Sequence, residues 1–364
     1  MNRTASAFAL ASVAVLALSG CASGTNDADG TGEGGADAGG DGIRVVASTN
    51  VYGDIAAQIG GDHVEVSSII ASLAQDPHEY EASASDQLTV KNAQLIIENG
   101  GGYDAFIETL RDASGSDADV VTAVEYSDDF PGSEAHDHDE DDADAETDET
   151  AEPHDDDTDE DEDEAEDTDA EHDETEHADE DGHEGHDHIE GFNEHVWYDP
   201  HTIQHVAEAI AEELIELDAA NRADYEENLA AFQAELTGLE DSLAEIKAAH
   251  DGDKIFVTEP VPLYLAEAAG LVNVTPEAFS EAVEEGQDVP PATLLESLDL
   301  IEAGDIKVLF ANAQTGGAET TQVIDAAEAA GTAVQEVTEL VPDGDTYISW
   351  MQDNIAVLAG NLDR

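Results

Sequence analysis

Positive charge is what this sequence lacks most: 9 lysines and arginines stand against 90 aspartates and glutamates, for a formal net charge of −81. Neutralising phosphates needs a basic surface, so nucleic acid is excluded as a partner. Binding of organic anions would call for arginines, and Arg222 is the only one between Asp112 and Asp363. A single cysteine, Cys21, rules out a disulfide framework and a cysteine-based zinc site. No His-Glu-x-x-His occurs, and His183-Glu184-Gly185-His186 is one residue too short, which removes the metalloprotease reading. A glycine-rich phosphate loop is missing too, and no nucleophile is paired with a base by a recognisable motif. These absences leave no recognisable enzymatic motif in the chain. Self-repulsion on this scale weakens a compact state at low salt, which suits a salt-tolerant source.

Long apolar runs are also scarce. Arg3 supplies a positive start, Ala7 to Leu18 a largely apolar stretch, and Leu18-Ser19-Gly20-Cys21 a small-residue site ending in cysteine. The stretch is shorter than the ~20 residues of a membrane span, so residues 1–21 read as a cleaved secretory signal. The site resembles the lipobox of secreted lipoproteins. That resemblance implies a lipidated Cys21 as the mature N-terminus, anchoring the protein to the outer face of the cytoplasmic membrane. Residues 22–42, mostly Gly, Ala, Asp, Ser and Thr, read as a flexible tether.

From Ile43 onward, apolar strand candidates alternate with helical patterns. Strands at 43–47, 64–69, 95–98 and 120–124 flank helices at 51–60, 83–92 and 103–112, which predicts an α/β lobe with a parallel sheet over residues 43–132. Residues 133–190 interrupt it. This tract is rich in Asp, Glu and His, lacks Lys and Arg between Glu134 and Asp187, and has almost no large apolar side chain, so disorder is expected. The chain then returns to the first lobe over 191–222, where Asp199-Pro200 reads as an N-cap and first helical residue. A long helix is expected over 223–250, with Tyr225, Leu229, Phe232, Leu236, Leu239 and Leu243 at helical spacing. A second alternating unit follows at 251–364, with strands at 255–258, 272–275, 307–310 and 333–337 and helices at 262–269, 292–303, 317–330 and 346–362.

Two histidines sit in turns beside these elements: His78 in Asp76-Pro77-His78-Glu79-Tyr80-Glu81 and His195 in Asn193-Glu194-His195-Val196-Trp197-Tyr198-Asp199-Pro200. Ligand sites of α/β sheets gather at the carboxyl ends of strands. With Gly60-Gly61-Asp62, Asn99-Gly100, Gly102-Tyr103-Asp104, Tyr264-Leu265-Ala266, Gly270-Leu271 and Gly344-Asp345-Thr346-Tyr347 in the same order, the chain resembles the zinc and manganese solute-binding lipoproteins of ATP-driven importers.

The resemblance implies two Rossmann-like α/β lobes with parallel sheets, bridged by a long rigid helix, with a metal held between the lobes. It places the ligands at His78, His195, Glu259 and Asp345, and it implies a membrane permease and its ATPase as partners and a monomeric chain. Two imidazoles and two carboxylates leave little net charge around a dication and suit zinc, whereas hard carboxylate oxygens favour manganese. Eight of the 14 histidines, His136, His138, His154, His172, His177, His183, His186 and His188, lie in the acidic tract and are expected to collect metal weakly. That tract and zinc's tighter binding at most such sites favour zinc as cargo, with manganese close behind. A metal-binding adhesin or a metal-buffering surface lipoprotein is the alternative, distinguished by whether a permease and an ATPase are encoded beside it.

Overall fold

The computed structural model describes residues 42–75, 77–78, 80–131, 189 and 191–364. Two four-stranded sheets, each wholly parallel, carry the fold. The first is ordered β2-β1-β3-β4 from Ile43–Thr49 (β1), Val64–Ile70 (β2), Leu95–Glu98 (β3) and Asp119–Thr122 (β4). The second is ordered β6-β5-β7-β8 from Lys254–Val257 (β5), Val272–Asn273 (β6), Ile306–Asn312 (β7) and Ala333–Val337 (β8). Parallel strands covered on both faces read as near-continuous apolar runs. The central strands obey this: Val45, Val46 and Ala47 of β1 and Val308, Leu309 and Phe310 of β7 are all buried.

Ten α-helices among the described residues cover these sheets. In the first half they are Asn50–Gly60 (α1), Ala84–Lys91 (α2), Phe106–Ser114 (α3) and Pro200–Leu217 (α4). The acidic tract therefore falls between β4 and α4, and the chain rejoins the first sheet after it. Helix α5, Arg222–His250, spans 29 residues, which is about 44 Å at 1.5 Å per residue. It buries Tyr225, Phe232, Leu236, Leu239, Leu243 and Ile246, spaced three, four or seven apart along one face. That stripe belongs to a core shared with residues of both sheets, so truncating one such leucine to alanine should cost about 2–5 kcal/mol. The second half carries Leu263–Ala268 (α6), Glu277–Glu284 (α7), Pro291–Glu302 (α8), Ala318–Ala330 (α9) and Tyr347–Leu362 (α10).

Three details depart from the sequence reading. The helix expected from Tyr103 starts only at Phe106, because Gly100, Gly101 and Gly102 all have positive φ and the Asp104 carboxylate accepts from the Asn99 and Gly100 N–H groups at 2.6 and 2.9 Å. The strand expected over 272–275 ends at Asn273, since the Thr275 hydroxyl, not its backbone, accepts the Val257 N–H at 2.8 Å. Helix α7 was not expected at all.

Candidate metal centre

The loop after β2 brings His78 inward and ends at a capping box in which Ser83 and Asp86 exchange hydrogen bonds at the start of α2. Tyr80 ties that loop down by donating to Asp86 at 2.9 Å. The His78 ring stands edge-on to buried Tyr103, with centroids 4.9 Å apart. His195 precedes a 3-10 turn, Val196–Tyr198, and α4, whose N-cap Asp199 accepts from the His201 and Thr202 N–H groups at 3.1 Å each. Fully buried, the His195 ring packs on Trp197 with centroids 5.1 Å apart. Its Nδ1 lies 2.8 Å from the Asn193 side-chain oxygen. An amide oxygen only accepts, so Nδ1 carries the proton and Nε2 keeps a lone pair, the tautomer that metal-bound histidines adopt when an outer partner holds the other nitrogen.

The second sheet contributes carboxylates. Glu259 lies two residues past the end of β5 and Glu339 two residues past the end of β8, 3% and 1% exposed. Asn312, the last residue of β7, donates from one amide nitrogen to both, at 2.7 Å each. The Thr315 hydroxyl also donates to Glu259, and the Tyr103 hydroxyl donates to Glu339 at 3.0 Å. Tyr103 belongs to the first half of the fold, so Glu339 is fixed from both sheets. Further bonds tie the ligand-bearing loops together: Asn193 donates to the Pro260 carbonyl at 3.1 Å and Tyr198 to the Thr338 carbonyl at 2.7 Å.

Here the side chains converge. The rings of His78 and His195 are 6.0 Å apart, and His78 Nε2 is 3.9 Å from Glu339 Oε2. One ligand atom from each of His78, His195 and Glu339 lies within 4.8 Å of the other two, and the same holds for His78, Glu194 and Glu284. Buried carboxylates are costly unless compensated. The lysine and arginine ion pairs of the described residues lie elsewhere: Arg111 with Glu98, Arg222 with Glu226 and Lys254 with Asp305. Burial, and then the charges of Glu194, Glu259 and Glu339, push the Glu284 carboxyl up to about 9. Imidazole and carboxylate donors crowded at this density are chemically suited to a divalent transition metal.

Of the four expected ligands, the structure brings His78 and His195 together and sets Glu259 beside them through Asn312. Asp345 is not brought there. It is exposed, its N–H donates to the Pro342 carbonyl at 3.1 Å, and its segment leads into the capping box of α10 at Thr346. The carboxylate this part of the chain delivers to the cleft is Glu339. Sequence reasoning missed it, along with Glu194 and Glu284, although a signal existed: Val-Thr-Glu occurs at 257–259 and again at 337–339, each time at the end of a strand. Cys21 and the eight tract histidines lie outside the described residues.

Two parallel sheets, with histidines from loops of the first half meeting carboxylates at the strand ends of the second, define a two-lobed α/β binding protein. The chain belongs to the family of the periplasmic zinc-uptake complex component A, whose model matches residues 45–361. The manganese-binding lipoprotein MntA of Halalkalibacterium halodurans is 22% identical over 330 residues, covering 89% of this chain and 90% of that protein. Among solved structures, the periplasmic zinc-binding protein TroA from Treponema pallidum superposes with a TM-score of 0.62 at 18% identity, over 89% of this chain and 100% of that one. A zinc-bound ZnuA deletion mutant lacking 138–173 superposes with a TM-score of 0.58 at 21% identity, over 88% of this chain and 97% of that one.

Proposed function

We propose that the chain is the extracytoplasmic substrate-binding component of an ATP-driven importer, capturing a divalent transition metal, zinc or manganese, and delivering it to a membrane permease served by an ATPase. The observation that carries this reading is the convergence of His78 and His195, from loops of the first half, with Glu339, just past the end of β8, all three buried. Family membership supports it, and the relatives' names cover both metals. The ligand set we propose is His78, His195, Glu259 and Glu339. Asn312 and Tyr103 hold the carboxylates in place, and Asn193 sets the His195 tautomer. Lipidation of Cys21 would keep the monomeric chain beside its permease on the outer face of the membrane. No described helix is long and apolar enough to cross a membrane.

Calorimetry with zinc and manganese tests the ligand set. Outer-shell partners alone are worth about 10–100-fold in metal affinity, so Glu339→Gln, which removes a direct ligand, should cost at least as much. Asp345→Asn should leave affinity within about twofold, since no ligand bond is lost. Equal losses in the two variants would sink the assignment of Glu339.

A further inference from the structure

Glu284 is a carboxylate in the cleft that a four-ligand scheme leaves unused. It is the last residue of α7, a helix fixed from below by Phe279, which is fully buried and packs edge-on against Phe256 of β5 with centroids 5.3 Å apart. The Glu284 side chain is 11% exposed, with Oε1 at 3.9 Å from His195 Nδ1. Oε1 is buried and has no hydrogen-bond partner among the described residues. Glu284 also shares a 4.8 Å cluster with His78 and Glu194. A carboxylate this buried, beside another glutamate and at the negative end of a helix, is costly to hold without a cation. The approach to His195 is on the Nδ1 side that Asn193 holds, so it is the grouping with His78 that aims this carboxylate at a cation.

Resting on the metal site proposed above, we propose that Glu284 is a further ligand of the bound cation, and that it shifts the cleft's preference from zinc towards manganese. The four-ligand set already meets the tetrahedral preference of zinc, which gains little from another carboxylate. Manganese prefers hard oxygen donors and octahedral coordination, so an extra carboxylate rewards it selectively. This tilts the cleft against the zinc preference that the histidine-rich tract suggested.

The test is competitive zinc and manganese binding to the full mature chain, with less than one equivalent of metal so that only the tightest site fills. Glu284→Gln keeps the shape and removes the charge. It should lower manganese affinity about tenfold or more while zinc affinity changes by about twofold or less, given the stronger oxygen preference of manganese. Glu284→Asp, which retains the charge but shortens the reach by one methylene, should move the ratio in the same direction and serves if the amide variant does not fold. An unchanged zinc-to-manganese ratio in a folded Glu284 variant, with His78→Ala still abolishing tight binding of both metals, would overturn the role of Glu284 and leave the metal site standing. Tight binding that survives His78→Ala would overturn the site itself.

Discussion

The neighbouring glutamates make Glu284 harder to ionise. Burial and then the charges of Glu194, Glu259 and Glu339 raise its carboxyl from the ordinary 4.5 to about 9. Between those values the unfolded chain has released a proton that the metal-free folded state keeps. The stabilisation is therefore complete below pH ~4.5 and is lost as pH rises towards ~9, with a slope of up to about 1.4 kcal/mol per pH unit from this group. Denaturant unfolding of the metal-free protein between pH 5 and 8 should show this decline, and Glu284→Gln should flatten it; equal slopes in both proteins would count against the raised carboxyl. His78 and His195 were legible in the sequence because each sits in a turn within a distinctive block. Glu339 was legible only through the repeat of Val-Thr-Glu at 257–259 and 337–339, because a lone glutamate in so acidic a chain stands out from nothing around it. Gly344-Asp345-Thr346-Tyr347 drew attention instead, and its structural role is to start α10: Thr346 caps the helix and the Tyr347 N–H donates to Asp54 at 2.7 Å.

At the scale of elements, α4 shows how local sequence positions a ligand. Asp199 accepts from two backbone N–H groups and, at 2.6 Å, from the Thr202 hydroxyl, while Pro200 occupies the first helical position, where no N–H is needed. The cap sets where the 3-10 turn ends and α4 begins, and so where His195 sits. Asp199→Ala should destabilise the protein by about 1 kcal/mol, within the usual range for a lost cap, read as a lower midpoint in chemical denaturation. A midpoint equal to wild type would mean that the tertiary packing of α4 makes the cap redundant. Cap and proline agree at α4, and the sequence reading of where that helix starts matched the structure. They do not agree at α7: it is eight residues long, begins after Pro276, buries only Phe279 and has three glutamates. Tertiary packing of buried Phe279, with partly buried Ala282 and Val283, against the second sheet fixes it, and no local pattern reveals that.

For the whole molecule, the question is what 133–190 contributes to a metal centre whose described members all lie outside it. Phe130 and Phe192, on either side of the tract, meet edge-on with centroids 5.4 Å apart, and the Phe192 N–H donates to the Ile189 carbonyl at 3.0 Å. The chain therefore leaves and re-enters the fold at nearly the same place, and a short linker could bridge the gap without moving β4 or α4. Metal held in the cleft binds the folded state alone, so at ~1,000 times the dissociation constant it should add about 4 kcal/mol to unfolding stability. Deleting residues 134–188 should preserve both that increment and one tight equivalent in calorimetry. Where the tract histidines serve as weak collectors, as proposed from the sequence, the deletion should abolish only the weak additional equivalents. The same deletion should slow loading when metal is scarce, because fewer encounters with the protein would end near the cleft. Loss of the tight equivalent, or of the stability increment, would mean that the tract supplies a primary ligand and that the proposed set of His78, His195, Glu259 and Glu339 is incomplete.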